Sequence, residues 1–246
     1  MAQSVAYNMD CLEAMRQMPD NAFDLAVVDP PYGDGLSDNS GEAAPTHTHT
    51  HTHGAAWSRF GQRFDRYKQP TGIQDGRVVV EEVRKKIIAW DVAPEKEYFE
   101  QLFRVSRNQI IWGGNYFGLP PTRCFLVWRK LTISESFTMA MAEYAWTSFN
   151  GNAKVFECAP HGRPGDTRFH PAQKPIDLYR WIFSRYAKPG DKILDTHLGS
   201  GSSRIAAYDA GLDFTGYEID KYYFDKQEER FAEYTAQTSL FVEERI

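Results

Sequence analysis

Four consecutive residues, Asp29-Pro30-Pro31-Tyr32, place a carboxylate, two prolines and an aromatic ring at the end of an apolar run, Phe23 to Val28. The prolines fix φ and carry no backbone N–H, so carbonyls in such a turn can face a ligand without competing donors. Asp29 adds an acceptor and Tyr32 a flat face for stacking. The group suits something planar that bears an –NH2. Taken alone, the same four residues read equally well as a stiff turn with a solvated Asp and a packing Tyr.

A second set lies far along the chain. Lys192-Ile193-Leu194-Asp195 has the look of a buried strand and runs into Thr196-His197-Leu198-Gly199-Ser200-Gly201-Ser202-Ser203, then a helix to Ala210. A strand, a Gly-x-Gly turn and a helix make a loop whose amides favour an anion such as a carboxylate or phosphate. The next strand, Asp213 to Tyr217, ends in Glu218-Ile219-Asp220. An acidic residue about 20 positions beyond the glycines is placed to accept from ribose hydroxyls. The spacing points to a nucleoside-containing cofactor and leaves a dinucleotide and S-adenosylmethionine both open.

The elements that must position these residues alternate in type. Residues 4 to 8 read as a strand, 11 to 18 as a helix with Leu12, Met15 and Met18 on one side, and 23 to 28 as a strand, which is a βαβ unit with parallel strands. Ligands in such sheets bind outside the carboxyl ends of the strands, so Asp10 and Asp29 are candidates for one crevice. A helix over 95 to 105 buries Tyr98, Leu102 and Val105, and a strand over 108 to 112 leads into Gly113-Gly114-Asn115. Two glycines at a strand end permit φ > 0 or a close backbone approach. Further strands are expected at 124 to 128 and 141 to 148, and residues 150 to 170, rich in Gly and Pro, read as a loop. His170-Pro171-Ala172-Gln173-Lys174-Pro175 then precedes a helix with Leu178, Trp181, Ile182 and Tyr186 on its apolar stripe.

Composition sets limits. A chain of 246 residues with 42% hydrophobic content fits one α/β domain. A net charge of −5 excludes a globally basic nucleic-acid footprint, so any such contact must be local. Cys11, Cys124 and Cys158 are an odd set without CxxC spacing, which argues for a reducing compartment and against a thiolate zinc site. With no leader-like start and no long apolar run, a cytoplasmic protein without membrane contact is expected. Residues 33 to 76 change character: Thr46 to His53 alternates Thr and His strictly, and reads as a low-complexity loop rather than a metal site. Residues 57 to 90 hold Arg59, Arg63, Arg66, Lys68, Arg77, Arg84, Lys85 and Lys86 against four acidic residues, with Trp57, Phe60, Phe64 and Tyr67 interleaved. Basic and aromatic residues in a long loop suit nucleic-acid contact, and a solvated basic helix face would look the same.

In the order Asp29-Pro30-Pro31-Tyr32, His170 to Pro175, Asp195 to Ser203, the chain resembles the S-adenosylmethionine-dependent DNA amino-methyltransferases. The likeness is to the circularly permuted group with the catalytic motif before the cofactor motif, and small phage-type adenine-N6 enzymes look closest. It runs from Asn8-Met9-Asp10 to about Tyr223 and matches residues 33 to 76 least. The resemblance implies a Rossmann-like α/β methyltransferase fold: a seven-stranded, mostly parallel sheet with one antiparallel strand, in a single catalytic domain over residues 1–246 with a DNA-contact insertion at about 33–90. Asp29, Pro30, Pro31 and Tyr32 would be the catalytic set, holding the target amine and stacking on its base. Asp10 would lie near the adenine of the cofactor, Gly199 and Gly201 along its methionine part, and Glu218 at its ribose hydroxyls. Cys11, Asp29, His170, Gln173, Lys174, Asp195, His197, Ser200, Ser202, Ile219 and Asp220 complete the expected cofactor positions. DNA would meet Arg59, Arg63, Arg66, Lys68, Arg84, Lys85, Lys86 and Asn115. Family members often have Asp-Pro-Phe where this chain has Asp195-Thr196-His197, and no large separate target-recognition domain is evident.

The activity so implied is methyl transfer from S-adenosylmethionine, without a metal, to the N6 amine of an adenine flipped out of double-stranded DNA, in a bacterial or phage-infected cell. A homodimer and a restriction endonuclease partner belong to the same expectation. Cytosine N4, RNA or a protein glutamine amide are the alternative acceptors, and a non-enzymatic DNA-binding protein on the same fold is the remaining one.

Overall fold

The computed structural model describes residues 2–33, 92–136, 140–162 and 168–243, in two compact units. One comprises Met1–Pro30, Glu95–Thr132 and Ala142–Ile246; the other comprises Pro31–Pro94 and Ile133–Met141. All regular elements described below belong to the first. Its strands are β1 (Ser4–Tyr7), β2 (Phe23–Val28), β3 (Ser106–Trp112), β4 (Phe125–Lys130), β5 (Ala142–Thr147), β6 (Lys154–Cys158), β7 (Lys192–Asp195) and β8 (Asp213–Tyr217). Its helices are α1 (Cys11–Gln17), α2 (Lys96–Val105), α3 (Ile176–Tyr186), α4 (Ser202–Asp209) and α5 (Lys221–Glu243).

The strands form one sheet in the order β1-β8-β7-β2-β3-β5-β4-β6. All pairings are parallel except those of β5, which runs antiparallel to both β3 and β4. The single antiparallel strand is as expected, but the sheet has eight strands rather than seven. The added one is β6, within the stretch read as a loop. It pairs only with β4, at the sheet edge, and is mostly exposed. A five-residue edge strand with one contacting face carries too little apolar pattern to stand out between Gly- and Pro-rich flanks.

The central strands are apolar at nearly every position because both faces of the sheet are covered. In β2, Leu25 and Val27 join the core beneath α3 and α4, whereas Phe23, Ala26 and Val28 join the core beneath α1 and α2. Side chains alternate between faces along a strand, so a continuous apolar run serves two cores at once. The stripe of α2 is the expected one, with Tyr98, Leu102 and Val105 buried. The paired glycines after β3 divide the two roles open to them. Gly113 takes φ of 66°, and a Cβ on Gly114 would stand 2.4 Å from the Trp146 Cβ.

Long helix α5 has no counterpart in the sequence reading. It carries Gln227, fully buried, and Glu228 to the guanidinium of Arg204 in α4, at 2.9 and 2.7 Å. In the second unit, a Cβ on Gly33 would stand 2.7 Å from the Ala93 backbone nitrogen, so the chain at 33 and at 93 meets.

Candidate active site

Four neighbouring parallel strands, β1, β8, β7 and β2, deliver the sequence motifs to one edge of the sheet. Asp29 and Pro30 follow β2, Asp195 and the glycine turn follow β7, Glu218 follows β8, and Asp10 follows β1. Strands β2 and β7 are directly hydrogen-bonded, with Leu25 opposite Ile193 and Ala26 opposite Leu194. Motifs more than 160 residues apart in the sequence therefore sit at adjacent strand ends.

At the β7 and β8 ends the polar groups bind one another. The Glu218 carboxylate accepts from the Gly199 amide through Oε2 and from the Asp220 amide through Oε1, each at 2.8 Å. Asn8 ties this end to β1 by donating from Nδ2 to the Glu218 and Ile219 carbonyls at 2.8 and 3.1 Å. Gly199 and Gly201 both have positive φ, 53° and 74°. A Cβ on the first would stand 3.2 Å from the His170 ring, and on the second 3.2 Å from the Gln227 Cβ. The glycines thus let the turn pack against the chain's own side chains. Ser202 and Ser200 are buried, their hydroxyls 3.1 Å apart, and Arg230 of α5 donates to the Ser200 carbonyl at 2.8 Å.

Asp195 is buried beside this turn, accepting from the His197 amide at 3.0 Å and the Ser203 hydroxyl at 2.5 Å. Burial pushes its pKa up to about 7; Asp29 and Glu218 add to the rise, and the two donors oppose it. His197 lies where the sequence departs from the Asp-Pro-Phe of the methyltransferases it resembles. Its ring meets Tyr98 edge-on at 5.5 Å, and Tyr98, Thr196 and His197 form a chain of hydrogen bonds of 2.6 and 3.0 Å. Burial lowers its pKa to about 4, so at neutral pH it is an uncharged aromatic face. His170 is likewise held near 3 by burial, with Arg168 and Lys174 contributing, and packs edge-on against Tyr223.

Three of the expected cofactor residues have structural roles in addition. Asp10 caps α1, accepting from the Leu12 and Glu13 amides at 2.6 and 3.3 Å, and Asp220 accepts from the Tyr222 and Tyr223 amides at the start of α5. Gln173 accepts from the Phe169 amide at 3.2 Å. Cys11 follows the Asp10 cap, and burial pushes its thiol up to about 12. Ile219 remains 65% exposed, an apolar side chain next to Glu218.

Lys174, expected from sequence at the cofactor, has ion-pair partners that the sequence did not indicate. Its ammonium, 5% exposed, binds the Asp29 carboxylate and stands 3.2 Å from Glu143 Oε2. Glu143 Oε1 lies 2.5 Å from the ammonium of Lys130, which is equally buried. Four charges in the order Asp29, Lys174, Glu143, Lys130 thus alternate in sign and sum to zero. Such pairing is what permits charges to leave water. Burial alone would raise Glu143, but Lys174 and Lys130 outweigh it and hold the carboxyl down near 2. The Lys174 ammonium also lies 5.4 Å from the centroid of Trp112. Glu143 and Lys130 escape sequence reading because nothing in β4 or β5 marks them; an antiparallel β5 brings its first residues to the carboxyl end of β4, with Glu143 opposite Trp128.

Pro30 is buried, and Pro31 and Tyr32 open the second unit, where both are partly buried. Asn115 is exposed in the turn after β3. The proposed DNA residues Arg59, Arg63, Arg66, Lys68, Arg84, Lys85 and Lys86 lie outside the described residues, as does the Thr-His tract. Among the described residues no cluster of three or more His, Cys, Asp or Glu could hold a metal ion, and no helix is long and apolar enough to cross a membrane.

Residues 111–229 match the N6_N4_Mtase family model, described as DNA methylase. YubD of Escherichia coli (strain K12), named as an inferred methylase, is 23% identical over 228 residues, covering 91% of this chain and 88% of YubD. The type II methyltransferase M.BglII of Bacillus subtilis is 25% identical over 249 residues, covering 89% of this chain and 66% of that protein. Two solved structures share the fold. PvuII DNA methyltransferase, cytosine-N4-specific, gives a TM-score of 0.56 at 12% identity, over 94% of this chain and 87% of that one. TTHA0409 of Thermus thermophilus, in complex with S-adenosyl-L-methionine, gives 0.52 at 14% identity, over 95% and 94%. The family match over residues 111–229, the methylase relatives and the shared fold together support an amino-methyltransferase of the N6/N4 DNA methylase family.

Proposed function

We propose that this chain methylates the N6 amine of adenine in double-stranded DNA, with S-adenosylmethionine as donor. The observation that supports this reading is the adjacency of β2 and β7, whose ends lead into Asp29-Pro30 and into the Gly199–Gly201 turn. The donor fits the chemistry of the groups present. Asp195 and Glu218 are buried carboxylates whose pKa values burial raises, and Asp195 also feels Asp29, an arrangement suited to a cationic ligand. Glu218 would take its ribose hydroxyls, Ile219 and His197 would face its flat ring, and the turn at Gly199 and Gly201 would follow its methionine part. S-adenosylmethionine supplies an electrophilic methyl group carried on a sulfonium.

The protein's own part is to hold the amine. The lone pair of an exocyclic adenine amine is delocalised into the ring, which makes it a poor nucleophile. The Asp29 carboxylate and the Pro30 carbonyl, accepting its two N–H groups, favour a pyramidal nitrogen and stabilise the positive charge that develops on it. Preorganised groups of this kind contribute about 3 kcal/mol each. Asp29 has only to hold the proton, not to remove it before transfer. Extruding the base costs a few kcal/mol, and stacking on Tyr32, three residues along the chain, would return about 1–3 kcal/mol.

The test is incubation of the protein with labelled S-adenosylmethionine and DNA, followed by mass spectrometry of the nucleosides. Label in N6-methyladenine is expected; label in N4-methylcytosine, or none in DNA, overturns the reading. Asp29→Ala should abolish transfer while keeping cofactor affinity, and Glu218→Ala should weaken cofactor affinity first.

A further inference from the structure

We propose that Glu143, braced by Lys130, is a positioning residue for methyl transfer: it holds the Lys174 ammonium in place and so fixes the Asp29 carboxylate that takes the target amine. This rests on Asp29 being the amine acceptor. The geometry carries the rest. Lys174 is 5% exposed and contacts two carboxylates, that of Asp29 and, at 3.2 Å, that of Glu143. Glu143 in turn is anchored at 2.5 Å by Lys130.

The electrostatic reason is specific to an acceptor. An amine that gains positive charge during attack is stabilised by a negative charge close to it. A lysine paired with Asp29 alone would offset much of that charge. Glu143 shares the Lys174 ammonium, so Lys174 orders Asp29 while offsetting less of it, and Lys130, on the far side of Glu143, supplies the counter-charge that keeps Glu143 ionised in a partly buried place. Placement matters as well: Lys174 has a flexible four-carbon stem, its hydrogen bond goes to Asp29, and the Glu143 carboxylate, a charge contact at 3.2 Å, draws the ammonium from a second side. Trp112, whose ring lies 5.4 Å from the ammonium, closes a third side.

The sheet explains why the brace comes from so far along the chain. Strand β5 is the only antiparallel one, and its first residues reach the edge where the parallel strands end. Lys130 is the last residue of β4. Among the described strands of this sheet, no other brings its N-terminal end there.

The experiment uses the full chain and two readouts. In single-turnover transfer to DNA, Glu143→Gln should lower the rate constant about 10–100-fold, the order expected of a misplaced reacting group, with cofactor Kd changed less than about threefold. Glu143→Asp should recover part of the rate, and Lys130→Met should lower it less than Glu143→Gln does. A rate for Glu143→Gln within about twofold of the parent, or a loss of rate matched by a loss of cofactor affinity, overturns the proposal. The second readout is a double-mutant cycle between Asp29→Asn and Glu143→Gln, read in unfolding equilibrium constants. Because both residues act on Lys174, the double variant should be destabilised at least about fivefold beyond the product of the single effects. Additive effects overturn the brace. The cycle decides this even if the parent transfers no methyl group to DNA, a result that would sink the proposed function instead.

Discussion

Lys174→Met removes the charge at the centre of the alternating set and keeps most of the side-chain volume. In the parent, the ammonium is buried and contacts the carboxylates of Asp29, 14% exposed, and Glu143, 22% exposed. Removing one member of a buried pair costs about 3–5 kcal/mol, because the opposite charge is left without compensation. A second line from the structure gives a similar size. Glu143 is held near 2 against an ordinary 4.5. At about 1.4 kcal/mol per pH unit, that preference for the ionised form is worth about 3 kcal/mol, divided between Lys174 and Lys130. The expected loss at pH 7 is therefore about 3–4 kcal/mol. Its pH dependence has a definite sign. The lowered pKa of Glu143 gives the parent stability that is present above about pH 4.5 and is lost as pH falls toward 2. Without Lys174, the partly buried Glu143 carboxylate titrates at higher pH and is neutralised sooner. The gap between parent and variant must then narrow from pH 7 to pH 4. Urea denaturation followed by circular dichroism at both pH values measures it. A gap below about 1 kcal/mol at pH 7, or one that widens on acidification, refutes the buried charge chain.

Three further outcomes are expected. Asp195 titrates near 7 rather than near 3.8, so its ionisation costs stability increasingly as pH rises between those values; relative to the parent, Asp195→Asn should gain stability from pH 4 to pH 8 in thermal melts, and a constant difference would argue against the raised pKa. Gly114→Ala should lose about 3 kcal/mol by the same denaturation assay, since its Cβ would overlap Trp146 and the nearest atoms include backbone; a neutral result would mean that the turn after β3 lies further from β5. Asp10→Ala should lose about 1 kcal/mol by removing the α1 cap, and Asp10→Asn should restore that stability because Asn also caps. Titration of S-adenosylmethionine into the two variants then separates the cap from any role of the charge: weaker binding by Asp10→Asn isolates the charge.

The amino-acid order alone settles the central architecture and which motifs stand at the strand ends. Unbroken apolar runs such as Phe23 to Val28 can be buried only where both faces of a sheet are covered, and helix stripes such as Tyr98, Leu102 and Val105 allow one face. Asp29-Pro30, Gly199, Gly201 and Glu218 were legible because their types and spacing restrict what a backbone can do and what it can bind. Strand β6 was not legible, because an edge strand answers to a single neighbour, and α5 was not because its apolar spacing is weak. The partner of Lys174 emerges only on folding. An ammonium finds its carboxylate by proximity in space, and Asp29 lies 145 residues away in the chain. Folding also gives Glu143 and Lys130 their place: they are ordinary charged residues within two strands until β5 runs against its neighbours and brings them to the end of the sheet where Asp29 stands.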